Sequence, residues 1–494
     1  MGDSSNIIKL NNTDYYFSAA VAAGEVAPTY TPGSSDNISG DLLGLNFSAF
    51  GGITLLDSFF APFNSCSFTL NLPSNGPEQE SFRFRANNRN RFLFVLANAD
   101  KHTALPGTLD NLSQIERATT VSFDGSITSM SNLGSPNGSF NMQAFDCDET
   151  YAALLKEKKI AQILPAVDNQ KTVGENIADI LKLAINSAEI DEDSFKACTE
   201  YFQEVHIYPA DFSAYDAILF LLPFCLGKIE NLDTQLFLYF SKVENKFYLV
   251  SPLEALANFT TSEVFYVKDQ TGSASKENDF IKPTRGLYLP GNDIMSFNFY
   301  EPSFEDTSKN YCNIKYISTG NPYKVGDLGF INIITEIDNF SKTLLSKLND
   351  KYNGEVKLNV PLDPSKIGNN SAVSYKVFKG PYEKEKLERM AKANLYSLFM
   401  FENLKLSFIT KGQTYRTPGM FVEISRGTLG GEFDTKLLGN WFVTDIKHFI
   451  DSKGAYMNEI VCSKPFIVNR PSRDYTLNYN PNPLITGSRG QQLA

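Results

Sequence analysis

The run Leu404-Lys405-Leu406-Ser407-Phe408-Ile409 decides the fold class of this 494-residue chain. Apolar and polar side chains alternate along it, which is the period of a strand with one buried face. Gly412-Gln413 follows as a turn, and a second turn, Thr417-Pro418-Gly419, leads into a strand from Met420 to Ile424. The stretch therefore predicts an antiparallel β unit near the C-terminus.

The same unit continues beyond a glycine-rich hairpin loop, Gly427 to Gly431. Trp441 to Phe449 and Ala455 to Cys462 are predicted as two more strands, joined by a turn at Lys453-Gly454. Four strands with turns at short intervals are typical of a small barrel or sandwich. The segment from Pro471 to Ala494 contains repeated Pro and Gly, and we predict an extended arm.

The first 148 residues also indicate strands and turns. Ser65 to Leu72 alternates polar and larger residues before the turn-forming segment Pro73 to Pro77. A second alternating stretch runs from Ser81 to Val95, with a possible turn at Asn87-Asn88. Its cationic residues, interpreted as the solvent face of an antiparallel strand pair, are Arg83, Arg85, Arg89 and Arg91.

The middle of the chain mixes helices with strands. Glu149 to Leu164 has helical composition, and Thr172 with Glu175 forms a capping box that begins a second helix. A short apolar helix ends at Pro223, before a hairpin of Gln235 to Phe240 and Lys246 to Val250.

From about residue 260 to residue 390 the hydrophobic periodicity is less regular. Gly272 to Asp279 is predicted as a polar loop, Leu328 to Leu348 as an amphipathic helix, and Pro381 to Met400 as a charged helix. The predicted fold class is therefore α+β, β-rich and multi-domain, in agreement with 13% aromatic residues and few helix-only stretches.

The charge of the chain excludes one class of function. A formal net charge of −11 at pH 7, with no long run of Lys or Arg, argues against a protein that grips nucleic acid through its phosphates. A channel with an acidic wall, which DNA passes without binding, is compatible with this net charge.

No short motif indicates an active site. The six cysteines lie apart from one another and from the three histidines, so neither a zinc site nor a redox CxxC motif is predicted. We expect free, mostly buried thiols and a structural His448. Gly427 to Gly431 lacks the Lys and Ser/Thr of a phosphate-binding loop, and Asp191-Glu192-Asp193 is interpreted as a solvated loop. No catalytic, cofactor-binding or metal-binding residue is predicted.

Targeting and membrane segments are also not predicted. Met1 to Leu10 is too polar for a signal peptide, and the most apolar stretch, Ala217 to Leu226, is about half as long as a membrane-spanning helix. We therefore expect a soluble protein assembled inside a cell, without membrane insertion.

The order of these pieces resembles a known family. Asn403 to Phe408, Thr417 to Ile424 and Ala455 to Ile460 are similar to strands in the last barrel of contractile-tail hub proteins, the family of the T4-type baseplate hub and the hub part of type VI secretion spikes. Leu438 to His448 resembles its Gly-x-aromatic-x-Val-Thr-x-x-x-His strand. Upstream resemblances, in the same order, are Phe145 to Leu183, Tyr208 to Ile218 and Leu236 to Leu253.

The resemblance implies two similar small β-barrel domains with a helical linker and an inserted domain. The implied divisions are 1–148 for the first barrel, 149–207 for the linker, 208–260 for the start of the second barrel, 261–400 for the insertion, 401–470 for the rest of the second barrel, and 471–494 for the arm.

The same resemblance implies a structural, non-enzymatic role in the virion, at the tail baseplate, after assembly in the host cytoplasm. Three copies would form a pseudo-six-fold ring that adapts the six-fold tail tube to the three-fold central spike. The implied partners are two more copies of the chain, the spike, tube and tube-initiator proteins, the tape-measure protein and baseplate wedge proteins, with DNA only in transit. The barrel loops Thr417 to Gly419 and Gly427 to Gly431 are the predicted contact regions.

Three alternatives stay open at this point. One is the hub of a secretion or injection apparatus; such hubs are often fused to a spike, and the end of this sequence at Ala494 favours a separate spike. Another is a glycan- or peptidoglycan-active baseplate enzyme, which needs a carboxylate pair at catalytic separation. The last is a carbohydrate-binding β module, which needs exposed aromatic side chains, whereas Trp441 is predicted to be in the core.

Overall fold

A computed structural model gives the fold. The residues that the structure describes are 7–23, 42–73, 90–100, 119–134, 140–185, 189–202, 205–229, 232–242, 244–257, 261–266, 296–300, 314–318, 328–331, 340, 342–343, 345, 356–358, 376–380, 384–425, 436–437 and 439–468.

The N-terminal part of the chain is a β unit. Its strands are β1 (Ile7–Leu10), β2 (Thr13–Ala23), β3 (Leu42–Gly44), β4 (Phe50–Ser58), β5 (Ser65–Pro73), β6 (Asn90–Asn98), β7 (Thr120–Gly134) and β8 (Phe140–Glu149). They pair in the order β1-β2-β6-β7-β8-β5-β4, and β3 adds to β2. Stacked phenylalanines fill the core: the Phe68 ring centroid lies 4.0 Å from that of Phe92 and 4.8 Å from that of Phe145. The strand predicted over Ser65 to Leu72 is thus confirmed as β5, and the end of the stretch Ser81 to Val95 lies in β6, while residues 81–89 lie outside the described residues.

A helical unit follows, with two small sheets. Its elements are α1 (Thr150–Glu157), α2 (Ile160–Ile163), α3 (Val173–Ala184), β9 (Glu189–Ile190), α4 (Glu192–Lys196), α5 (Ala214–Leu221), β10 (Leu226–Ile229), β11 (Leu232–Gln235), β12 (Phe237–Ser241), β13 (Lys246–Val250) and α6 (Pro252–Ala257). The predicted capping box is confirmed: Glu175 N donates to Thr172 Oγ1 over 3.1 Å, and Thr172 N donates to Glu175 Oε2 over 2.8 Å. The predicted hairpin is confirmed as β12 and β13.

The remaining elements are β14 (Thr261–Tyr266), β15 (Ser296–Tyr300), β16 (Ile314–Ser318), β17 (Leu328–Ile331), β18 (Val356–Leu358), β19 (Lys376–Gly380), α7 (Lys384–Phe401), β20 (Leu404–Lys411), β21 (Phe421–Ser425), β22 (Gly439–Asp451), β23 (Tyr456–Lys464) and β24 (Phe466–Val468). β15, β20, β23 and β22 pair side by side, and β21 joins β22 to β14. These strands form a second β unit, whose core includes Trp441, Phe408 and Cys462. The chain is β-rich, with a curled sheet and few helices, as expected.

The helix predicted over Leu328 to Leu348 is wrong at its start. Leu328–Ile331 is strand β17, which pairs antiparallel with β16. Gly329 weakens a helix at this point, and Ile331 is β-branched, so the segment suits a pleated sheet better than its apolar spacing suggested. The charged helix predicted from Pro381 is α7, which begins at Lys384.

Strand pairing connects segments that are distant in the chain. Within the range 261–400, β14 pairs with β21 and β15 with β20, so both belong to the large sheet, and the domain divisions stay a prediction. Within the range 208–260, β10 pairs with β11, while β12 and β13 pair with β9, and both small sheets are separate from the large one. Helix α7 is held to the helical unit by ion pairs of Arg389 with Asp233, at 2.7 Å, and with the buried Glu200.

Candidate functional site: the seam between two β units

The two β units share one sheet because β4 pairs antiparallel with the second half of β22. The pairing runs from Asp445 opposite Ser58 to Asp451 opposite Gly52. The first half of β22 pairs on the same edge with β21, from Gly439 opposite Ile424. Within the described ranges, fourteen strands are joined in this way into one sheet. We call the β4–β22 pairing the seam.

A bulge marks the point where β22 passes from one partner strand to the other. The register with β23 shifts between Val443 and Asp445, so Thr444 is the extra residue. Its carbonyl accepts a hydrogen bond from Phe59 N at 2.7 Å, just beyond the end of β4. The Thr444 hydroxyl donates to Val461 O at 3.1 Å, which fixes the bulge against β23. The bulge therefore redirects β22 from the second unit toward the first.

The tip of the β22–β23 hairpin completes the core of the first β unit. Ile450 and Tyr456 belong to that core, although both lie on strands of the second unit. Asn11 N, in the β1–β2 turn, donates to Gly454 O at 3.1 Å, and the Asn11 side chain hydrogen-bonds both backbone groups of Tyr456. The Tyr15 ring meets the Tyr456 ring edge-on, with centroids 5.7 Å apart. The two units are thus joined at both ends of the seam.

Backbone geometry explains the residues at this contact. Asn11 and Asn12 have φ of 49° and 66°, the conformation of a two-residue hairpin turn that Asn tolerates. Gly454 has φ of 83°, and a Cβ atom there would lie 3.0 Å from Lys9 O. Glycine is therefore required at the hairpin tip for two reasons.

A buried network of polar side chains includes His448, which lies on the seam strand β22. The ring atom Nδ1 of His448 is 2.8 Å from the Tyr456 hydroxyl and 3.0 Å from Asn458 Nδ2. Asn458 Oδ1 in turn accepts hydrogen bonds from Arg416 Nη1 at 2.9 Å and from Gln413 N at 2.7 Å. Because the Asn458 amide nitrogen can only donate, Nδ1 accepts and the ring proton belongs on Nε2. His448 is thus buried, with hydrogen-bond partners at Nδ1, and its structural role stays a prediction.

The network keeps His448 uncharged. Burial, followed by the positive charges of Lys242 and Arg416, lowers the pKa of His448 to about 3. The unfolded chain takes up this proton below its ordinary pKa of about 6.5, whereas the folded chain does not until about pH 3. The stability that the neutral ring provides is complete above pH 6.5 and falls as the pH drops from 6.5 toward 3.

We expect His448→Gln to remove this pH dependence. The difference in free energy of unfolding between wild type and the variant should shrink by about 2 kcal/mol from pH 7 to pH 5, since only wild type has the buried imidazole. Urea denaturation at both pH values measures it. Gln keeps a hydrogen-bond acceptor for Tyr456. An equal pH response in both proteins would contradict the assignment.

A second buried polar group joins the first β unit to the small sheet of β12. The Lys242 ammonium donates to Ser122 O at 3.1 Å, and Glu149 Oε2 accepts from Asn64 N at 2.7 Å. Burial raises the pKa of Glu149, against the opposing effects of Lys242 and of the Asn64 hydrogen bond. The helical unit is thereby fixed to one end of the first β unit.

Two ionisable groups lie near the single tryptophan. The Lys464 ammonium is 4.4 Å from the Trp441 ring centroid, and burial lowers the pKa of Lys464 to about 7. Glu423, two residues along β21 from Phe421, is also buried, and its pKa is raised to about 7 by desolvation. Both groups therefore change charge near neutral pH.

Trp441 should report the titration of Lys464. We expect its fluorescence to change with a midpoint near pH 7, because the charge beside the indole face is lost as the pH rises. Lys464→Met should abolish this transition, and Glu423→Gln should retain it. A transition that persists in Lys464→Met would show that another group is responsible.

No protein-family model and no curated protein matches the chain. Among solved structures, it is similar to the 43 kDa tail protein of prophage MuSo2 from Shewanella oneidensis, with 11% identity, a TM-score of 0.49, and coverage of 91% of this chain and 98% of that one. It is also similar to the tail protein from Neisseria meningitidis MC58, with 10% identity, a TM-score of 0.47, and coverage of 91% and 96%.

A third likeness is to the Francisella PdpA-VgrG complex, with 10% identity and a TM-score of 0.46; it covers 94% of this chain and 54% of that one. The structural neighbours are thus phage tail proteins and type VI secretion VgrG complexes. These are the classes of protein that the sequence resembles. At these identities the likeness is one of fold.

The predicted contact loops have different outcomes. Pro418 and Gly419 are buried, and Gly419 N donates to Val443 O at 2.8 Å, so most of the loop Thr417 to Gly419 supports β22 rather than facing a partner. Its turn conformation is nevertheless confirmed by a φ of 84° at Gly419. Gly427 to Gly431 lies outside the described residues, as do Gly272 to Asp279, Asn87-Asn88 and the arm from Pro471.

One arginine prediction is wrong. Arg91 is buried and forms an ion pair with the buried Asp124 through both Nε and Nη2. Arg91 was assigned to the solvent face because a cation in a strand is usually exposed. The carboxylate that pairs with it, Asp124, lies 33 residues away, so the sequence did not indicate the pair. Arg83, Arg85 and Arg89 lie outside the described residues.

The segment Asp191-Glu192-Asp193, interpreted as a loop, is instead the N-cap and first two residues of α4. Trp441 is fully buried, and five cysteines are buried free thiols, while Cys312 is outside the described ranges. No group of three or more His, Cys, Asp or Glu in the described part of the chain could hold a metal ion. No helix in those same ranges is long and apolar enough to cross a membrane.

Proposed function

We propose that the chain is the structural hub of a phage-type tail baseplate. The observation that carries this proposal is the seam: one chain holds two β units with separate cores, joined edge to edge in a continuous sheet. Each unit is proposed to be one of the two small barrels, and the domain divisions given above remain part of the proposal.

Three chains with two β units each give six similar units around one axis. Such a ring offers six repeats to a six-fold tail tube, while the helical unit and the insertion repeat only three times and suit a three-fold spike. The two contacts between units, through β4 and through the β22–β23 tip, hold their relative orientation fixed. A fixed orientation is what a symmetry adaptor requires.

The role needs no reactive group, and the proposal is of a non-enzymatic protein. Its partners are two more copies of the chain, the spike, the tube proteins, the tape-measure protein and the wedge proteins, with DNA passing only through the lumen. The acidic net charge of −11 per chain suits a channel to which DNA does not adhere.

Electron microscopy of the purified chain tests the proposal. We expect end-on averages of a ring with six similar inner lobes and three-fold symmetry in its outer parts. The ring should co-purify with a co-expressed candidate spike protein. Averages of single, ring-free particles in both preparations would overturn the proposal, and assays on glycan and peptidoglycan would then be the next step.

A further inference from the structure

The two β units repeat one arrangement of five strands. In the first unit β6, β7, β8, β5 and β4 pair side by side in that order, and in the second unit β21, β22, β23, β20 and β15 do the same. All of these neighbours are antiparallel. The next strand outward differs, because β2 lies antiparallel to β6 whereas β14 lies parallel to β21. The repeat therefore comprises these five strands.

A bulge in β7 matches the bulge in β22. The register of β7 with β8 shifts at Thr128, which is the extra residue, as Thr444 is in β22. The Thr128 hydroxyl donates to Asp146 O at 3.1 Å, and the Thr444 hydroxyl donates to Val461 O at 3.1 Å. The two bulges therefore have the same residue and the same hydrogen bond, and they align the two units residue by residue.

Beyond the bulge, the two strands differ in what covers them. There β22 pairs with β4, which forms the seam. Among the described strands, the segment 129–134 of β7 pairs with β8 alone, since the pairing with β6 stops at Ser126. Met130 is 40% exposed, whereas Ile446, at the equivalent position of β22, is 0% exposed. This part of β7 therefore presents an edge with an exposed apolar side chain, to which another strand can add.

The strand equivalent to β4 in the second unit is β15. Ser67 of β5 and Ser407 of β20 lie opposite the two residues whose carbonyls accept the threonine hydroxyl bonds. On their other side these serines face Thr54 of β4 and Asn298 of β15. Within the described part of the chain, β15 pairs only with β20. The edge of β15 that corresponds to the seam edge of β4 is therefore open among these strands.

We propose that this edge of β15 pairs antiparallel with the segment 129–134 of β7 in a second copy of the chain, so that the seam is repeated between chains. Transfer of the seam register, in which Leu56 faces Lys447, places Tyr300 opposite Ser131 of the second copy. The added strand covers Met130, as β4 covers the equivalent position of β22.

The occupant is a second copy because the contact continues the seam. The seam uses the β4 edge of the first unit and the β22 edge of the second, so each chain keeps one further edge of each kind. A contact between two different edges is head-to-tail, and such contacts close into a ring when the rotation between copies permits it. The inference rests on the proposed hub function for the number of copies, whereas the pairing itself follows from the repeat.

Disulfide trapping in the full-length chain tests the pairing. Ser131→Cys/Tyr300→Cys, in a Cys312→Ser background, places two thiols at directly opposite positions of neighbouring copies, within reach of a disulfide. We expect mild oxidation to give covalent dimers and trimers on a non-reducing gel, at least about tenfold more than with either single variant. A mixture of the two single variants should give covalent dimers only, because each copy then carries one thiol of the pair.

Leu56 provides matched controls, since its side chain is 41% exposed and that of Tyr300 is 45% exposed. Leu56→Cys/Lys447→Cys should form a disulfide within one chain, because these residues are opposite each other in the seam. Leu56→Cys/Ser131→Cys should give no link between copies, because β4 is already paired on that edge.

Light scattering of the same samples separates the two possible failures. A trimer in which Ser131→Cys/Tyr300→Cys forms no link between copies, although the seam control oxidises, overturns this inference and leaves the hub function standing. Equal linking by Leu56→Cys/Ser131→Cys also overturns it, since the register would then be wrong. A monomer that forms no link between copies overturns both the inference and the proposed function.

Discussion

Asp124→Asn is expected to lower the free energy of unfolding by about 3 to 5 kcal/mol, the largest effect of a single substitution that we predict. Asp124 on β7 and Arg91 on β6 are diagonal neighbours, with side chains 8% and 4% exposed. Asp124 Oδ1 also accepts a hydrogen bond from the Thr150 hydroxyl at 3.1 Å. The variant leaves a guanidinium buried opposite a neutral amide, and the loss of the compensating charge is what destabilises the fold.

Urea denaturation followed by circular dichroism measures this effect. The matched control is Glu192→Gln, which removes an exposed ion pair with Lys182 and should leave the transition unchanged. The double variant Arg91→Met/Asp124→Leu should recover much of the loss, since it removes both charges together. If Asp124→Asn were as mild as Glu192→Gln, the pair would have to be solvated, contrary to the structure.

Gly412→Ala is expected to cost about 3 kcal/mol of stability. A Cβ atom at Gly412 would lie 2.3 Å from Tyr456 Cγ, and Gly412 N donates to Tyr456 O at 2.8 Å. The Tyr456 ring cannot retreat because Tyr15 and His448 pack against it. Overpacking at a fixed aromatic ring forces the backbone to move, and here that movement opens the contact between the two β units.

The matched control for this substitution is Gly44→Ala. A Cβ atom at Gly44 meets nothing within 4 Å, so the variant should change the stability by no more than about 0.5 kcal/mol. Thermal unfolding of both variants, with hydrogen exchange at β22 and β23, separates the two cases. Equal behaviour of the two glycine variants would mean that the Tyr456 ring has room to move.

Local patterns were enough to predict individual elements. The alternation Leu404 to Ile409 gave β20, and Thr172 with Glu175 gave the first turn of α3. These elements depend on neighbours a few residues apart, which a sequence displays directly. The buried position of Trp441 was predicted from its place within a strand, and the bulge at Thr444 is what brings His448 to a buried position as well.

The seam could not be predicted because its partners are distant in the chain. Asn11 and Tyr456 are 445 positions apart, and nothing in the turn Asn11-Asn12 indicates which hairpin it meets. A shorter separation of 33 positions was enough to hide the Arg91–Asp124 pair, so a buried arginine was interpreted as a solvent-facing one. The Asn11-Asn12 turn is a local signal, and a turn does not indicate which distant hairpin it will contact.

The mass of the purified protein in solution tests the central claim most directly. Light scattering of the purified chain alone should give about 165 kDa, three times the 55.1 kDa of one chain. The mass should be larger when the spike protein is added. A stable 55.1 kDa species in both samples would contradict the trimeric ring, and with it the proposed function as a hub.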